Sequence, residues 1–237
     1  MKKVYENATA ALHDVRDGIS LMSGGFGLCG NAENCIAELV RSGIRDLTVV
    51  SNNCGNAGKG LAALLQHRQV KKVIASFIGG NPDVQSQMLS GEIEVELNPQ
   101  GTLAERIRAG GAGIGGFFTP TGVGTVVANG KEERIINGKR MILEAPLTAD
   151  YAIIRARVGD PFGNLRFYKT ARNFSPLMAM ASRICVVEVE ELVSLGDLGP
   201  DDIHLPGLYV QRLFVGKGYE DPIEKLTVRP RPVPAGV

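Results

Sequence analysis

The stretch ISLMSGGFGLCGNAENCI, residues 19–36, decides how the rest of the chain is read. An apolar run (Ile19, Leu21, Met22) stops at a cluster of glycines, and a helical pattern begins at Asn31. Asn31 or Asn34 can cap that helix, which runs to about Ser42 with Ile36, Leu39 and Val40 on its buried face. Strand, glycine turn, helix is the opening unit of an α/β fold. Gly25, Gly27 and Gly30 also fit the spacing of a dinucleotide-binding fingerprint, so NAD is the first ligand to test.

Outward from this unit the alternation continues. A short helix is expected at Ala8–Val15, and the opening strand covers Gly18–Ser23. A buried strand at Leu47–Val50 enters the loop SNNCGNAGKG. A helix at Leu61–His67 and a third strand at Lys71–Phe77 follow, the latter opening into IGGNPD. Glu92–Leu97 alternates Glu with Ile, Val and Leu, which puts Glu92, Glu94 and Glu96 on one solvated strand face. TLAERIRA, residues 102–109, reads as an amphipathic helix capped by Thr102, its Glu105, Arg106 and Arg108 forming an exposed face. Further strands fall at Arg140–Leu143, Ala152–Ala156 and Cys185–Val189, with a helix over Phe174–Ala181. The fold class is therefore α/β, a single domain with a mainly parallel sheet flanked by helices. That domain covers 1–226. Residues 227–237 are a proline-rich tail, because proline lacks the N–H donor and fixes φ. The glycine-rich stretch 110–130 reads as a large active-site loop.

The bulk properties exclude several functions. A net charge of +1, with no polybasic run, argues against nucleic acid or an anionic membrane as partner. No run approaches the roughly 18 apolar residues of a membrane span, and no apolar stretch follows Lys2 and Lys3 to make a secretory signal. Cys29, Cys35, Cys54 and Cys185 show neither CxxC spacing nor a disulfide framework, and His13, His67 and His204 are scattered. No metal site is expected, and a reduced cytoplasm is the simplest home. The 30 glycines collect at 24–30, 55–60, 79–80, 110–116 and 122–124, where the backbone must take positive φ or come close to something.

Ligands of open α/β sheets sit beyond the carboxyl ends of the strands. Three loops leave such ends: Gly24–Gly30, Ser51–Gly60 and Asn98–Gly101. The second and third add the amides Asn52, Asn53 and Gln100, which donate and accept without demanding a counter-charge. They suit a ligand with carbonyl, amide and thioester groups. A dinucleotide would want an acid at the end of the second strand, where Ser51-Asn52-Asn53 stands instead. Asp46 lies at the wrong end, and Gly111-x-Gly113-x-x-Gly116 follows a helix. NAD becomes a minority reading.

GGFGLCG with NAENCI, LTVVSNNCGNAGKGL and LSGEIEVELNPQGTLAERIRAGGAGIGGFFTPTGVGT resemble the α subunit of the 3-oxoacid CoA-transferases, in the class I CoA-transferase family. The likeness continues through ILEAPLTADYAIIRA, DPFGNLRF, ARNFSPLMAMA and DIHLPGLYVQRL, nearly the whole chain. It implies the α subunit of a heteromeric enzyme, within a heterotetramer, moving CoA from succinyl-CoA to a 3-oxoacid such as acetoacetate. It implies CoA and acyl-CoA as substrates, with no permanently bound cofactor. In that family a glutamate of the partner β chain attacks the acyl-CoA and passes through an anhydride to a glutamyl-CoA thioester. Its Ser-Glu-Asn-Gly motif is absent here, so this chain is expected to carry no nucleophile. Carried over, the acyl-site loop is Gly24, Gly25, Phe26, Gly27 and Gly30, whose N–H groups can meet an oxyanion. Asn52, Asn53 and Gln100 are the substrate-binding amides. Apart from the resemblance, Glu144 ends an apolar strand and is the acidic residue expected to support the site from behind. Where the family pattern has proline and an aliphatic residue, this chain has Ala32 and Ser23, which bears on loop rigidity.

Blander readings stand beside these. The glycine loop can be a tight turn only, Asn52 and Asn53 turn formers, and Gln100 a turn residue after Pro99. Cys29 reads as a small packed residue. Alternative functions are a 3-oxoadipate or short-chain fatty-acid CoA-transferase α subunit, a sugar-phosphate isomerase hinted at by Lys59 in its glycine loop, and a non-catalytic CoA-binding module.

Overall fold

The computed structural model describes residues 3–56 and 58–222. The tail assigned to 227–237 lies outside them. An eight-stranded sheet is built from β1 (Ser20–Ser23), β2 (Leu47–Val50), β3 (Val70–Ala75), β4 (Glu94–Leu97), β8 (Ala149–Gly159), β9 (Leu165–Arg166), β10 (Ser182–Leu192) and β11 (Arg212–Val215). The order is β11-β10-β8-β1-β2-β3-β4, every pair parallel, with β9 antiparallel on β8. Parallel neighbours need crossovers, supplied by α2 (Glu33–Ser42), α3 (Ala62–Gln66) and α4 (Pro82–Leu89). Helix α1 (Ala8–Ala11) precedes the sheet, and α5 (Gln100–Gly111) and α6 (Ser175–Ala181) cover its other face.

The period-2 alternation of the strands divides the core cleanly. Leu21, Val49, Val73 and Ile153 pack with Leu39 and Leu64 on the α2–α3 side. Met22, Val50, Ile74 and Ile154 pack with Leu103, Ile107 and Met178 on the α5–α6 side. Helix α5 comes very close to its neighbours at its end. A Cβ on Gly110 would lie 1.9 Å from the Leu147 carbonyl oxygen, and one on Gly111 would lie 2.9 Å from Met180 Cβ. These two glycines serve packing.

Several expectations are corrected. Residues 110–130 are not one open loop. They contain β5 (Phe117–Thr119), which joins β6 (Glu133–Ile136) and β7 (Lys139–Glu144) in a separate antiparallel sheet, order β5-β7-β6. The strand expected at Arg140–Leu143 belongs to this sheet, not the parallel one. Helix α1 stops after four residues, well short of Val15. Helix α5 starts at Gln100, so Thr102 is a buried residue of its first turn and not its cap. Helix α4 escapes the sequence reading, although Asn81-Pro82-Asp83 is a legible start. Asn81 Oδ1 accepts the Asp83 and Val84 N–H groups at 3.0 and 3.2 Å, and Pro82 opens the helix.

Neither Asn31 nor Asn34 caps α2. The N-cap is Ala32, which has no side chain to do so. A substitute comes from β10, where the fully buried Glu188 Oε2 accepts the Cys35 N–H at 2.9 Å across 153 residues of sequence. Burial pushes this carboxyl from 4.5 up to about 8, and the Cys35 N–H and the Arg155 charge offset that only in part. The folded chain therefore binds more protons here than the unfolded chain between pH 4.5 and 8. Stability from this group is full below that window and is lost as pH rises through it. Denaturant unfolding at pH 5 and pH 8 should show the wild type losing roughly 2–4 kcal/mol relative to Glu188→Gln. Parallel pH profiles for the two proteins would contradict this.

Candidate active site

Four adjacent parallel strands end in one row, which aligns their C-terminal loops along one edge of the sheet. Gly24–Gly30 leaves β1, Ser51–Gly60 leaves β2, Ser76–Gly80 leaves β3 and Asn98-Pro99 leaves β4. Backbone bonds stitch the row together. The Gly24 N–H donates to the Ile153 carbonyl (3.0 Å), Ser51 to Ile74 (3.1 Å), Ser76 to Asn52 (3.1 Å) and Asn98 to Ala75 (2.9 Å). The buried Ser51 hydroxyl adds a bond to the Ser23 carbonyl at 2.9 Å.

The three amides foreseen from the sequence meet here in a directed chain. The Gly27 N–H donates to Asn53 Oδ1 at 2.9 Å. A backbone N–H can only donate, so this contact fixes which end of Asn53 faces the loop. The same Oδ1 accepts Asn52 Nδ2 at 2.9 Å, and Asn52 Oδ1 accepts Gln100 Nε2 at 2.6 Å. Asn52 is buried, and its carbonyl takes the Ser76 hydroxyl at 2.9 Å. Two groups remain without a protein partner among the described residues: the donor Asn53 Nδ2 and the acceptor Gln100 Oε1.

Both residues line an open cleft of about 410 Å³, within the range of small-molecule sites. Phe26 and Phe77 stand at it with 54% and 59% of their surface exposed, an apolar rim around an amide floor. Among the described residues the lining holds no Asp, Glu, Cys or His. The cleft can orient a carbonyl and stack an apolar body. Its one serine hydroxyl, Ser76, is bonded to the Asn52 main-chain carbonyl.

The glycine loop itself is drawn tight. Phe26 and Cys29 exchange backbone hydrogen bonds at 3.0 Å in each direction, and Gly25 and Gly27 take φ of +128° and +60°. The second loop repeats the device with Asn56 and Lys59. The N–H groups of Gly24, Gly25, Phe26 and Gly27 are all used internally, by Ile153 O, Asn173 Oδ1, Cys29 O and Asn53 Oδ1. This corrects the expectation that these N–H groups face an oxyanion. The Asn53 side-chain Nδ2 is an unspent donor at the cleft, and the Gly27 N–H holds its amide in place. Cys29 is exposed, contrary to the packed residue expected. Lys59 is paired with Glu220.

Glu144 is not in the cleft. It is buried at the end of β7, where it accepts Lys131 Nζ at 2.6 Å and lies 3.9 Å from Arg106 Nε. Arg106 Nη1 in turn donates to Asn98 Oδ1 at 2.6 Å and Glu96 Oε1 at 2.7 Å, at the end of β4 and not at the three amides. Arg106 is thus turned inward, not on an exposed helix face. The Glu face of β4 is likewise met within the chain: Lys72 pairs with Glu94 and Glu96, at 2.7 and 3.1 Å. Burial raises the Glu96 carboxyl, but Arg106, Lys72 and Asn98 outweigh it and bring it to about 2. These partners of Arg106 leave no mark in the periodicity of TLAERIRA.

Three residues of the site are not assigned to it by the sequence. Asn31 is buried against the two loops: a Cβ would meet its amide 1.9 Å away on Gly25 and 2.7 Å away on Gly60. Ser76 anchors Asn52. Asn173 holds Gly25 and the Cys29 carbonyl (3.2 Å) from the far side. The asparagine before Phe174-Ser-Pro is the available sign.

A parallel α/β sheet with an amide-floored cleft at its strand ends matches the Coenzyme A transferase family model over residues 5–216. The chain belongs to that family. It is 56% identical over 229 residues to the A subunit of the succinyl-CoA:3-ketoacid coenzyme A transferase of Helicobacter pylori strain J99, covering 97% of this chain and 99% of that one. It is 47% identical over 220 residues to the A subunit of the 3-oxoadipate CoA-transferase of Pseudomonas putida, covering 92% and 95%. Among solved structures, an acyl-CoA transferase apoenzyme from Escherichia coli O157:H7 superposes with a TM-score of 0.82 at 22% identity, covering 91% of this chain and 47% of that one. Glutaconate coenzyme A-transferase from Acidaminococcus fermentans gives 0.80 at 19%, covering 90% and 75%. These two likenesses are of fold. Among the described residues no helix is long and apolar enough to cross a membrane.

Proposed function

We propose that this chain is the α subunit of a heteromeric CoA-transferase that moves CoA from succinyl-CoA to a 3-oxoacid such as acetoacetate. One observation carries the reading beyond family membership: a cleft with an oriented amide donor and acceptor but no carboxylate to attack a thioester. The attacking glutamate then comes from a β subunit that closes over the cleft. It adds to the thioester carbonyl, CoA leaves as thiolate, and an acyl anhydride remains. The thiolate returns to the glutamyl carbonyl and releases the first acid. The incoming 3-oxoacid carboxylate repeats these steps in reverse and leaves with CoA.

In this scheme Asn53 Nδ2 donates to the oxygen that gains charge, a role worth roughly 3–4 kcal/mol when preorganised. Gln100 Oε1 accepts from an amide of the pantetheine arm. Gly24, Gly25, Phe26, Gly27 and Gly30 form the wall that positions Asn53, and Asn52 transmits the position of Gln100. Glu144 acts at a distance, by fixing Arg106 against the Asn98 end of the row. One domain spans 1–226, and four free thiols suit a reducing, cytoplasmic setting.

The naming of the relatives supports the 3-oxoacid assignment, since the more identical ones bear the succinyl-CoA:3-ketoacid name. The 3-oxoadipate reading is the second choice, favoured by the likeness to the Pseudomonas putida chain. Assaying CoA transfer with this chain alone, and again with its β partner, tests the shared site. Activity is expected only from the pair. Full turnover by the isolated chain would overturn the proposal, and comparing acetoacetate with 3-oxoadipate as acceptor separates the two specificities.

A further inference from the structure

Asn173 ends the helical turn Lys169–Arg172 with φ +26° and ψ −121°, a conformation that L residues rarely adopt. Backbone requirements alone would favour glycine there. Its side chain is fully engaged instead. Oδ1 accepts the Gly25 N–H at 2.9 Å and the Phe174 N–H at 2.7 Å, and Nδ2 donates to the carbonyls of Cys29 (3.2 Å) and Ala171 (3.0 Å). One amide thus grips the glycine loop at both ends of its tight turn and ties it to the start of α6.

The glycine spacing fits this grip. A Cβ on Gly30 would stand 2.7 Å from the Ala171 carbonyl oxygen and 2.9 Å from Asn173 Nδ2, so any larger residue would push the loop off the amide. From the cleft side, Asn53 takes the Gly27 N–H. The loop is therefore held between two asparagines that accept alternate N–H groups, one facing the cleft and one behind it.

We propose that Asn173 is a positioning residue for acyl transfer: it fixes the Gly25–Cys29 turn from behind, so that Gly27 holds Asn53 with its free Nδ2 at the cleft. The role rests on the acyl-transfer reading given above. No other common side chain meets all four contacts. Aspartate has the acceptors but would set a carboxylate oxygen against two carbonyls, and glutamine is one methylene too long.

The test uses the complex of this chain with its β partner, carrying Asn173→Gly or Asn173→Ala. Glycine relieves the backbone and removes the amide, whereas alanine removes the amide and keeps the strain. Asn173→Gly should be at least as heat-stable as Asn173→Ala, yet both should lose about tenfold or more in kcat with KM for acyl-CoA changed less than about threefold. Amide hydrogen exchange over residues 24–30 should quicken about tenfold or more in both variants, with β1 and β8 unchanged. Recovery of wild-type kcat and exchange by Asn173→Gly would overturn the proposal, because the position would then need only its backbone shape. If the wild-type complex transfers no CoA, the acyl-transfer reading fails, and the exchange result still decides whether Asn173 holds the loop.

Discussion

Gly25→Ala should abolish most CoA transfer while leaving the sheet folded. At φ +128° an alanine is strained whatever the space, and its Cβ would sit 1.9 Å from Asn31 Oδ1 and 3.0 Å from Asn31 Cγ. Asn31 is only 5% exposed, so it has no open direction in which to retreat. Strain of this kind costs roughly 1–3 kcal/mol, and displacing a buried amide adds to it. The loop will shift, taking the Gly27 N–H and Asn53 with it. A misplacement near 1 Å costs about 100-fold in rate. We therefore expect kcat/KM of the complex to fall about 100-fold or more and the thermal midpoint to fall roughly 5–10 °C. Circular dichroism should keep its native form. Wild-type turnover in this variant would mean that the loop geometry does not govern the site.

Asn53→Ala should produce the other large effect, and the contrast with Asn53→Asp separates its two roles. Alanine leaves the Gly27 N–H and Asn52 Nδ2 without their acceptor and removes the donor at the cleft. Loss of one preorganised donor lowers kcat by about 10²–10³-fold. Aspartate keeps the acceptor, so the loop stays in place, but it puts negative charge where the thioester oxygen gains its own. Its kcat should fall at least as far as that of alanine, with a smaller loss of heat stability. Steady-state kinetics and thermal melts of both complexes decide this. An Asn53→Asp complex with wild-type kcat would remove Nδ2 from the chemistry and leave Asn53 a structural residue only.

Local pattern foretells most of the parallel sheet, because strands buried on both faces read as short apolar runs bounded by glycine loops. The row of loops is legible for the same reason: glycine must stand where φ is positive, and Asn52, Asn53 and Gln100 stand out as polar groups at strand ends. What local pattern cannot show is contact made across long separations. Glu188 caps α2 from 153 residues away, so in sequence Ala32 has the look of an uncapped helix start. Arg106 is an outward residue by helical period, yet it is turned in by the Ala145 carbonyl, Glu96, Asn98 and the buried Glu144. The glycines at 110–116 look in sequence like those at 24–30, and so read as a site loop. Gly110 and Gly111 stand there for close packing, and only the neighbour each one meets tells the two uses apart.

The dinucleotide spacing of Gly25, Gly27 and Gly30 has a similar explanation. Gly25 makes room for Asn31, Gly30 makes room for Asn173 and the Ala171 carbonyl, and Gly27 sends its N–H to Asn53. The N–H groups of Gly25 and Gly27, which a pyrophosphate would require, are already spent on side-chain amides.

In the proposed scheme this chain shapes an acyl-transfer site whose nucleophile lies on another chain. Intact-mass analysis of the complex, incubated with succinyl-CoA alone and then denatured, shows which chain carries the adduct. A covalent CoA adduct is expected on the β chain, with the mass of this chain unchanged. A CoA adduct on this chain would contradict the scheme.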